Sequence, residues 1–280
     1  MNGAFWGSFD CRCVEFCENT AHVLKNVTTI INPKPRFDRA LCARRKSDSV
    51  DRGHVPGVRS LLVETCLLSP DSNGLTMKQQ KLDVRFFDRH HLDVAKDLIG
   101  THLHWDGVGG MVVETEAYAA ADDPACHLSF RPSARAFFES QTPGVVYAYI
   151  SYVIHWMLNV LTCDGIVLIR AIQPMAGIRR IQTRRKTQNA TQLCSGPGKI
   201  GQALSLGSSD HGSSVFTHRR FLLPRKEQFD PSQIVTDARV GLSVGLDRPW
   251  RFLLKGNPHV SVPHGKALAK SRPRLVRRQH

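Results

Sequence analysis

The chain has 280 residues, 41% of them hydrophobic, and its 38 Lys and Arg outweigh 24 Asp and Glu to give a formal charge of +14. That length supports one sizeable core or two small ones, and 21 Gly with 15 Pro exclude a fibrous or wholly disordered chain. No run approaches about eighteen apolar residues, so no membrane span is expected, and the basic balance points to a polyanionic partner, nucleic acid before anionic membrane.

Residues 1–76 hold 10 basic and 8 acidic residues and show no sustained periodicity. Their start, MNGAFWGSFDCRCVEFC, lacks the basic opening and apolar run of a signal peptide. Five of the eight cysteines fall here, and the spacing C-x-C-x3-C matches no zinc pattern. All eight are therefore expected to be free thiols of a reducing compartment. We expect 1–76 to be a poorly ordered extension, or the biological start to be Met77, where MKQQKLDVRFFDRHHLDVAKDLIG opens a compact domain. In it Asp88 is placed to cap a helix carrying Leu92, Val94, Ala95, Leu98 and Ile99 at helical intervals and closed by Gly100. His90 and His91 are adjacent and cannot share one helix face, so no metal is expected there.

Strand-like runs dominate from residue 101. THLHW and GMVVETEAY flank D-G-V-G-G, a hairpin signal. VVYAYISY (145–152), MLNVLTC (157–163) and IVLIRAIQP (166–174) follow, joined by short turns such as Cys163-Asp164-Gly165, and favour an antiparallel meander. Helices are predicted over 134–140, 177–186 and 199–206. This is an α+β pattern, read as one domain over 77–265. Residues 77–280 hold 28 basic and 16 acidic residues, and the stretch 266–280 has six Lys or Arg and no acid, the composition of a basic disordered tail.

One stretch runs against the basic background. Asp97 to Phe130 carries six acidic residues and no Lys or Arg, and contains VETEAY (113–118). In a strand Glu114, Glu116 and Tyr118 share a face, opposite Val113, Thr115 and Ala117. Paired carboxylates that close push one pKa up, which suits acid–base cleavage of a glycosidic bond; the competing reading is solvent-facing acids on an edge strand. Tyr147, Tyr149 and Tyr152 are the other three tyrosines of the chain, and such rings build stacking platforms for bases. Gly196-Pro197-Gly198-Lys199 lacks phosphate-loop spacing and reads as a lead into a helix N-terminus.

VETEAY, D-D-P-A-C-H (122–127), V-Y-A-Y-I-S-Y (146–152), Asn159, V-L-I-R-A-I-Q-P (167–174) and L-C-S-G-P-G-K-I-G-Q-A-L (193–204) follow one another in order. Together they resemble the alkyladenine (3-methyladenine) DNA glycosylase family of base-excision repair, over about Arg85 to Val262. The resemblance implies a curved, mostly antiparallel sheet flanked by helices, as in the C-terminal domain of methionyl-tRNA formyltransferase. It implies a monomer that flips alkylated purines (3-methyladenine, 7-methylguanine, and by extension hypoxanthine or ethenoadenine) from double-stranded DNA and removes them by hydrolysis. No cofactor, metal or membrane is implied, and the location would be cytoplasmic and nucleoid-associated in a bacterium, nuclear in a eukaryote.

By position in those motifs, Glu116 matches the general base and Arg170 an active-site arginine beside it. Tyr118, His127 and Tyr149 match the sandwich around the flipped base. Asn159 matches a pocket residue that disfavours guanine, and Tyr152 the wedge intercalated in the vacated stack. Glu114 receives no role, and Arg170 is the one cation expected to approach the acidic stretch. The chain departs from the family at Val153, where a Gly follows the wedge, at Ala119, and at S-A-R-A-F-F in the 131–140 loop. The alternative from another class is a non-catalytic nucleic-acid-binding protein on the same scaffold.

Overall fold

The computed structural model describes residues 80–270 apart from 152, 153, 227 and 228. The expectations for 1–76, for most of the tail, and for Tyr152 and Val153 therefore lie outside the described residues. In chain order the elements are α1 (Val84–Phe87), α2 (His91–Leu98), β1 (His102–Trp105), β2 (Val108–Ala119), α3 (His127–Phe130), α4 (Pro132–Ser140), β3 (Val146–Ser151), β4 (His155–Leu161) and β5 (Gly165–Ala176). They continue as α5 (Ile178–Arg185), α6 (Pro197–Leu204), β6 (Arg220–Leu223), β7 (Ile234–Asp237) and β8 (Arg251–Leu254).

Two long strands form the spine. β2 and β5 have 12 residues each and pair antiparallel from Gly109↔Ala176 to Ala119↔Gly165. The sheet order is β3-β4-β5-β2-β1-β6, with β8 against β2 and β7 against β8, and every pairing is antiparallel. β2 changes neighbour along its length: Val108–Met111 pair with β1, whereas Glu114–Glu116 pair with β8. At that changeover the β2–β5 register shifts between Val112 and Thr115. Such bulges bend a strand and sharpen its twist, so the sheet curls there, at the strand segment that holds both glutamates.

The local chemistry explains most of the elements. The β1–β2 hairpin closes on Asp106-Gly107, both left-handed (φ 48° and 81°), with Trp105 opposite Val108; this is the two-residue turn that matches strand twist. Helix α2 buries Val94, Ala95 and Leu98 and is tied to the sheet by Thr115 Oγ1 donating to the Ala95 carbonyl. Gly201 lies where α6 meets β4, and a Cβ there would sit 2.1 Å from the Trp156 carbonyl oxygen, so only glycine permits that approach.

Some expectations are corrected. Asp88 ends α1, and the N-cap of α2 is His90, whose ring nitrogen accepts from the Leu92 amide. His90 thus stands outside the helix, so adjacency does not keep the two histidines apart: their rings lie 4.2 Å apart and both reach Asp164. Ligand-type atoms of the three lie within 4.8 Å of one another, and each is engaged in hydrogen bonds, Asp164 accepting from the His91 amide and ring. Cys126 and Cys194 are free thiols, as expected, and the five cysteines of 1–76 lie outside the described residues. Among the described residues no helix is long and apolar enough to cross a membrane.

Candidate active site

The carboxylates of β2 do not face solvent. Glu114 and Glu116 are both 0% exposed, which removes the edge-strand reading, and Arg170 beside them is 6% exposed. Burying three charges is tolerable only if they are paired and hydrogen-bonded, and here they are. Arg170 is skipped in the register between β2 and β5. Its Nε donates to Glu114 Oε1 (2.9 Å) and its Nη1 to Glu116 Oε2 (3.2 Å). Glu116 Oε2 also accepts from the Tyr118 hydroxyl (2.7 Å), and its Oε1 from the Val240 amide (2.7 Å). A carboxylate has about four acceptor directions, so three are filled and one remains.

Arg170 is not the only cation present. Arg251, fully buried on β8, donates from Nε to Glu114 Oε1 (2.7 Å). Arg239 forks onto Asp123 (2.6 and 2.9 Å) and lies 4.7 Å from the centre of the Tyr118 ring. Burial raises the Glu114 carboxyl, but Arg170, Arg251 and the Ser261 donors outweigh it and hold the group below the usual range. For Glu114 the direction is thus opposite to the upward push that crowding two carboxylates suggests. Burial likewise opposes the charge on Arg170, and Glu116 and Glu114 more than restore it.

A pocket of about 110 Å³ opens in front of this cluster, walled by Tyr118, His127, Tyr147, Tyr149 and Asn159 and closed by Cys126, Ile166 and Leu242. Strand alternation on β3 puts Tyr147 and Tyr149 side by side, ring centres 5.5 Å apart, as expected. His127, at the start of α3, packs 4.3 Å from Tyr149, and its Nδ1 meets the Tyr147 hydroxyl at 3.0 Å. Asn159 is clamped by Nδ2 donating to the Tyr147 carbonyl (2.9 Å), across the β3–β4 pairing. Glu116 is not itself in the wall; it lies one hydrogen bond behind it, on the Tyr118 hydroxyl.

The wall is uncharged at neutral pH. Burial, helped by Arg131, pushes His127 down to about 4, so the ring is a neutral imidazole. Burial pushes the hydroxyls of Tyr147 and Tyr149 up to about 12 and Tyr118 well above its usual value. The Cys126 thiol is likewise pushed up to about 12 by burial, which makes it a poor nucleophile.

The expected residues Glu116, Arg170, Tyr118, His127, Tyr149 and Asn159 thus converge, and Tyr152 lies outside the described residues. Arg251, Arg239, Ser261 and the Val240 amide were missed, because strand alternation says which face a carboxylate occupies and not which distant segment covers it. The one available signal was RFLL (251–254), an apolar run headed by an arginine. The basic cluster at 178–186 is partly committed to packing: Arg184 donates to the Ala203 carbonyl, and Arg185 to the Leu193 carbonyl and the Gln202 side chain.

A sequence profile of the family described as methylpurine-DNA glycosylase matches residues 85–258. A protein of Rhodopseudomonas palustris named "Putative 3-methyladenine DNA glycosylase" is 42% identical over 189 residues, 64% of this chain and 89% of its own length. Proteins of the same name are 41% identical over 194 residues in Nitrosospira multiformis (68% of this chain, 96% of the relative) and 40% identical over 180 residues in Rhizobium johnstonii (64% and 88%).

Proposed function

The chain belongs to the methylpurine-DNA glycosylase family, and from that membership we propose that it excises cationic alkylated purines, 3-methyladenine and 7-methylguanine, from double-stranded DNA. The family is one of hydrolases that cut N-glycosyl bonds, so the enzyme class follows from membership; the lesion, the flipping step and the residue roles are our reading.

The observation that carries the reading is the neutral aromatic pocket with a buried carboxylate, keeping one open acceptor direction, a single hydrogen bond behind its Tyr118. A base inside a duplex is out of reach of such a pocket, so the nucleotide must be extruded, at a cost of a few kcal/mol that is smallest for damaged pairs. Tyr118, His127 and Tyr149 then hold the base. Alkylation at N3 or N7 makes the purine a cation, and ring faces attract it while a neutral His127 does not repel it. Asn159, held by the Tyr147 carbonyl, is assigned to disfavour unmodified guanine, which lacks the charge that draws 7-methylguanine to the rings.

Glu116 orients a water on its open acceptor direction and takes its proton as the oxygen attacks the sugar's anomeric carbon. Arg170 and Tyr118 fix the carboxylate. The bond to the purine breaks and its electron pair leaves with the base. A cationic purine leaves as a neutral molecule and needs no proton. With His127 at about 4, Tyr147 and Tyr149 at about 12 and Tyr118 raised well above its usual value, no wall group is an acid tuned to neutral pH. Cationic lesions are therefore favoured over hypoxanthine or ethenoadenine, whose leaving groups need one. Tyr152 is assigned to the gap in the stack and the protein to a monomer. Residues 77–265 are assigned as the glycosylase domain between a leading extension and a basic tail. Phosphate contacts are assigned to cations around 178–186, 196–202 and the tail, so affinity falls with salt.

The test is release of free 3-methyladenine or 7-methylguanine from alkylated duplex, in the wild type and in Glu116→Gln. We expect release from the first and almost none from the second. Duplex binding without any release by the wild type would sink the reading; equal release by both proteins would remove Glu116 from its role.

A further inference from the structure

The two glutamates of VETEAY have different surroundings. Glu116 takes three donors, one of them a cation, whereas Glu114 takes four, two of them cations: Oε1 accepts from Arg170 Nε (2.9 Å), Arg251 Nε (2.7 Å) and Ser261 Oγ (2.7 Å), and Oε2 from the Ser261 amide (2.5 Å). A carboxylate held between two guanidinium groups is a poor proton acceptor. It joins a row of charges that alternates in sign across four strands: Asp237 on β7, Arg251 on β8, Glu114 on β2, Arg170 on β5, and Glu116 on β2 again. The far end is pinned too, because Arg251 Nη2 donates to the Val262 carbonyl and the Gly265 amide donates to Asp237.

The row fixes how Arg170 meets Glu116. Arginine and carboxylate left to themselves favour two parallel hydrogen bonds. Here Nε of Arg170 is held by Glu114 and Nη2 by Ser261 Oγ (3.2 Å), so a single Nη1–H reaches Glu116, at 3.2 Å. A two-pronged pair would fill the remaining acceptor direction of Glu116 and oppose its taking a proton.

We infer that Glu114, with Arg251 and Ser261 behind it, is the positioning residue of this site, holding Arg170 to one contact so that Glu116 stays available as the base. The inference rests on the proposed role of Glu116. Glu114 acts through Arg170 and touches no reacting atom.

The test is Glu114→Gln in the full chain. Glutamine keeps the shape but turns an amide toward the Ser261 donors and can no longer hold two guanidinium groups, so Arg170 is released onto Glu116. Single-turnover release of 7-methylguanine is expected to fall by about 10²-fold, the scale of a misplacement near one ångström, with duplex affinity unchanged. The acidic limb of the rate–pH profile moves to lower pH, because a like charge has gone and an opposite one has closed in. The other groups facing Glu116, namely Tyr118, Tyr149, Arg239 and the Val240 amide, are the same in both proteins.

Thermal unfolding shows whether the variant folds. If it does not, Ser261→Ala decides, since it removes only the hydroxyl shared by Glu114 and Arg170; a smaller loss in the same direction is expected. A folded Glu114→Gln, or Ser261→Ala in its place, with wild-type rate and profile overturns the inference, as does a loss traced wholly to weaker DNA binding. Absence of base release from the wild type, or full release by Glu116→Gln, fails the proposed function instead, and is read in a different protein.

Discussion

His127, half-buried in the pocket wall, and Glu114, fully buried behind it, are both removed from water, yet one loses its charge and the other keeps it. The desolvation penalty acts in the same sense on both. The difference is company: His127 has a tyrosine hydroxyl and the repelling Arg131, whereas Glu114 has two guanidinium groups and two Ser261 donors. The wall presents neutral rings and the cluster behind it fixed charges, and the two meet at the Tyr118 hydroxyl. Burial by itself therefore predicts nothing about charge, and the count of partners does.

The largest effect is expected at Glu116. Replacement by Gln removes the charge while keeping the packing, and base release should fall about 10²–10⁴-fold, the range for a general base, with DNA binding retained in a gel-shift measurement. On the structural side, Arg239→Met leaves Asp123 buried without its partner. Urea unfolding should show a loss of about 3–5 kcal/mol, and a loss under 1 kcal/mol would mean that partners do not hold this charge in place.

In the wall, Tyr149→Ala removes a stacking face. Affinity for a duplex carrying a damaged purine should drop by about 1–3 kcal/mol, with affinity for undamaged duplex unchanged. The smallest effect concerns His127. Its folded value, about 4, lies below the ordinary 6.5, so the folded protein binds fewer protons between those values. Stability from this group is complete above pH 6.5 and declines as pH falls toward 4. Unfolding followed from pH 7 to pH 4 should lose that part of its slope in His127→Gln.

How far the sequence carried these conclusions depends on distance along the chain. The Asp106-Gly107 turn and the alternation of β2 through β5 are local signals, and the hairpin and the meander form where they indicate. Glu116, Tyr118, His127, Tyr149 and Asn159 meet because strand alternation and close pairing act over a few tens of residues. Arg251 and Arg239 reach their carboxylates across 137 and 116 residues, and nothing in a local pattern names such a partner. β6, β7 and β8 have four residues each, too few for a period to show. The cap of α2 went to His90 instead of Asp88 because Asp88 was already used to end α1.

The uncharged wall has a consequence for searching. A surface without net charge casts no long-range field, so what it discriminates is settled only at contact and is indifferent to mobile ions, which screen fields and not ring faces. The phosphate contacts proposed above would behave oppositely and loosen as salt rises. Raising the ionic strength should therefore shorten each visit to the DNA without making the protein less choosy: fewer bases are sampled per encounter, and the ratio of damaged to intact bases removed stays the same.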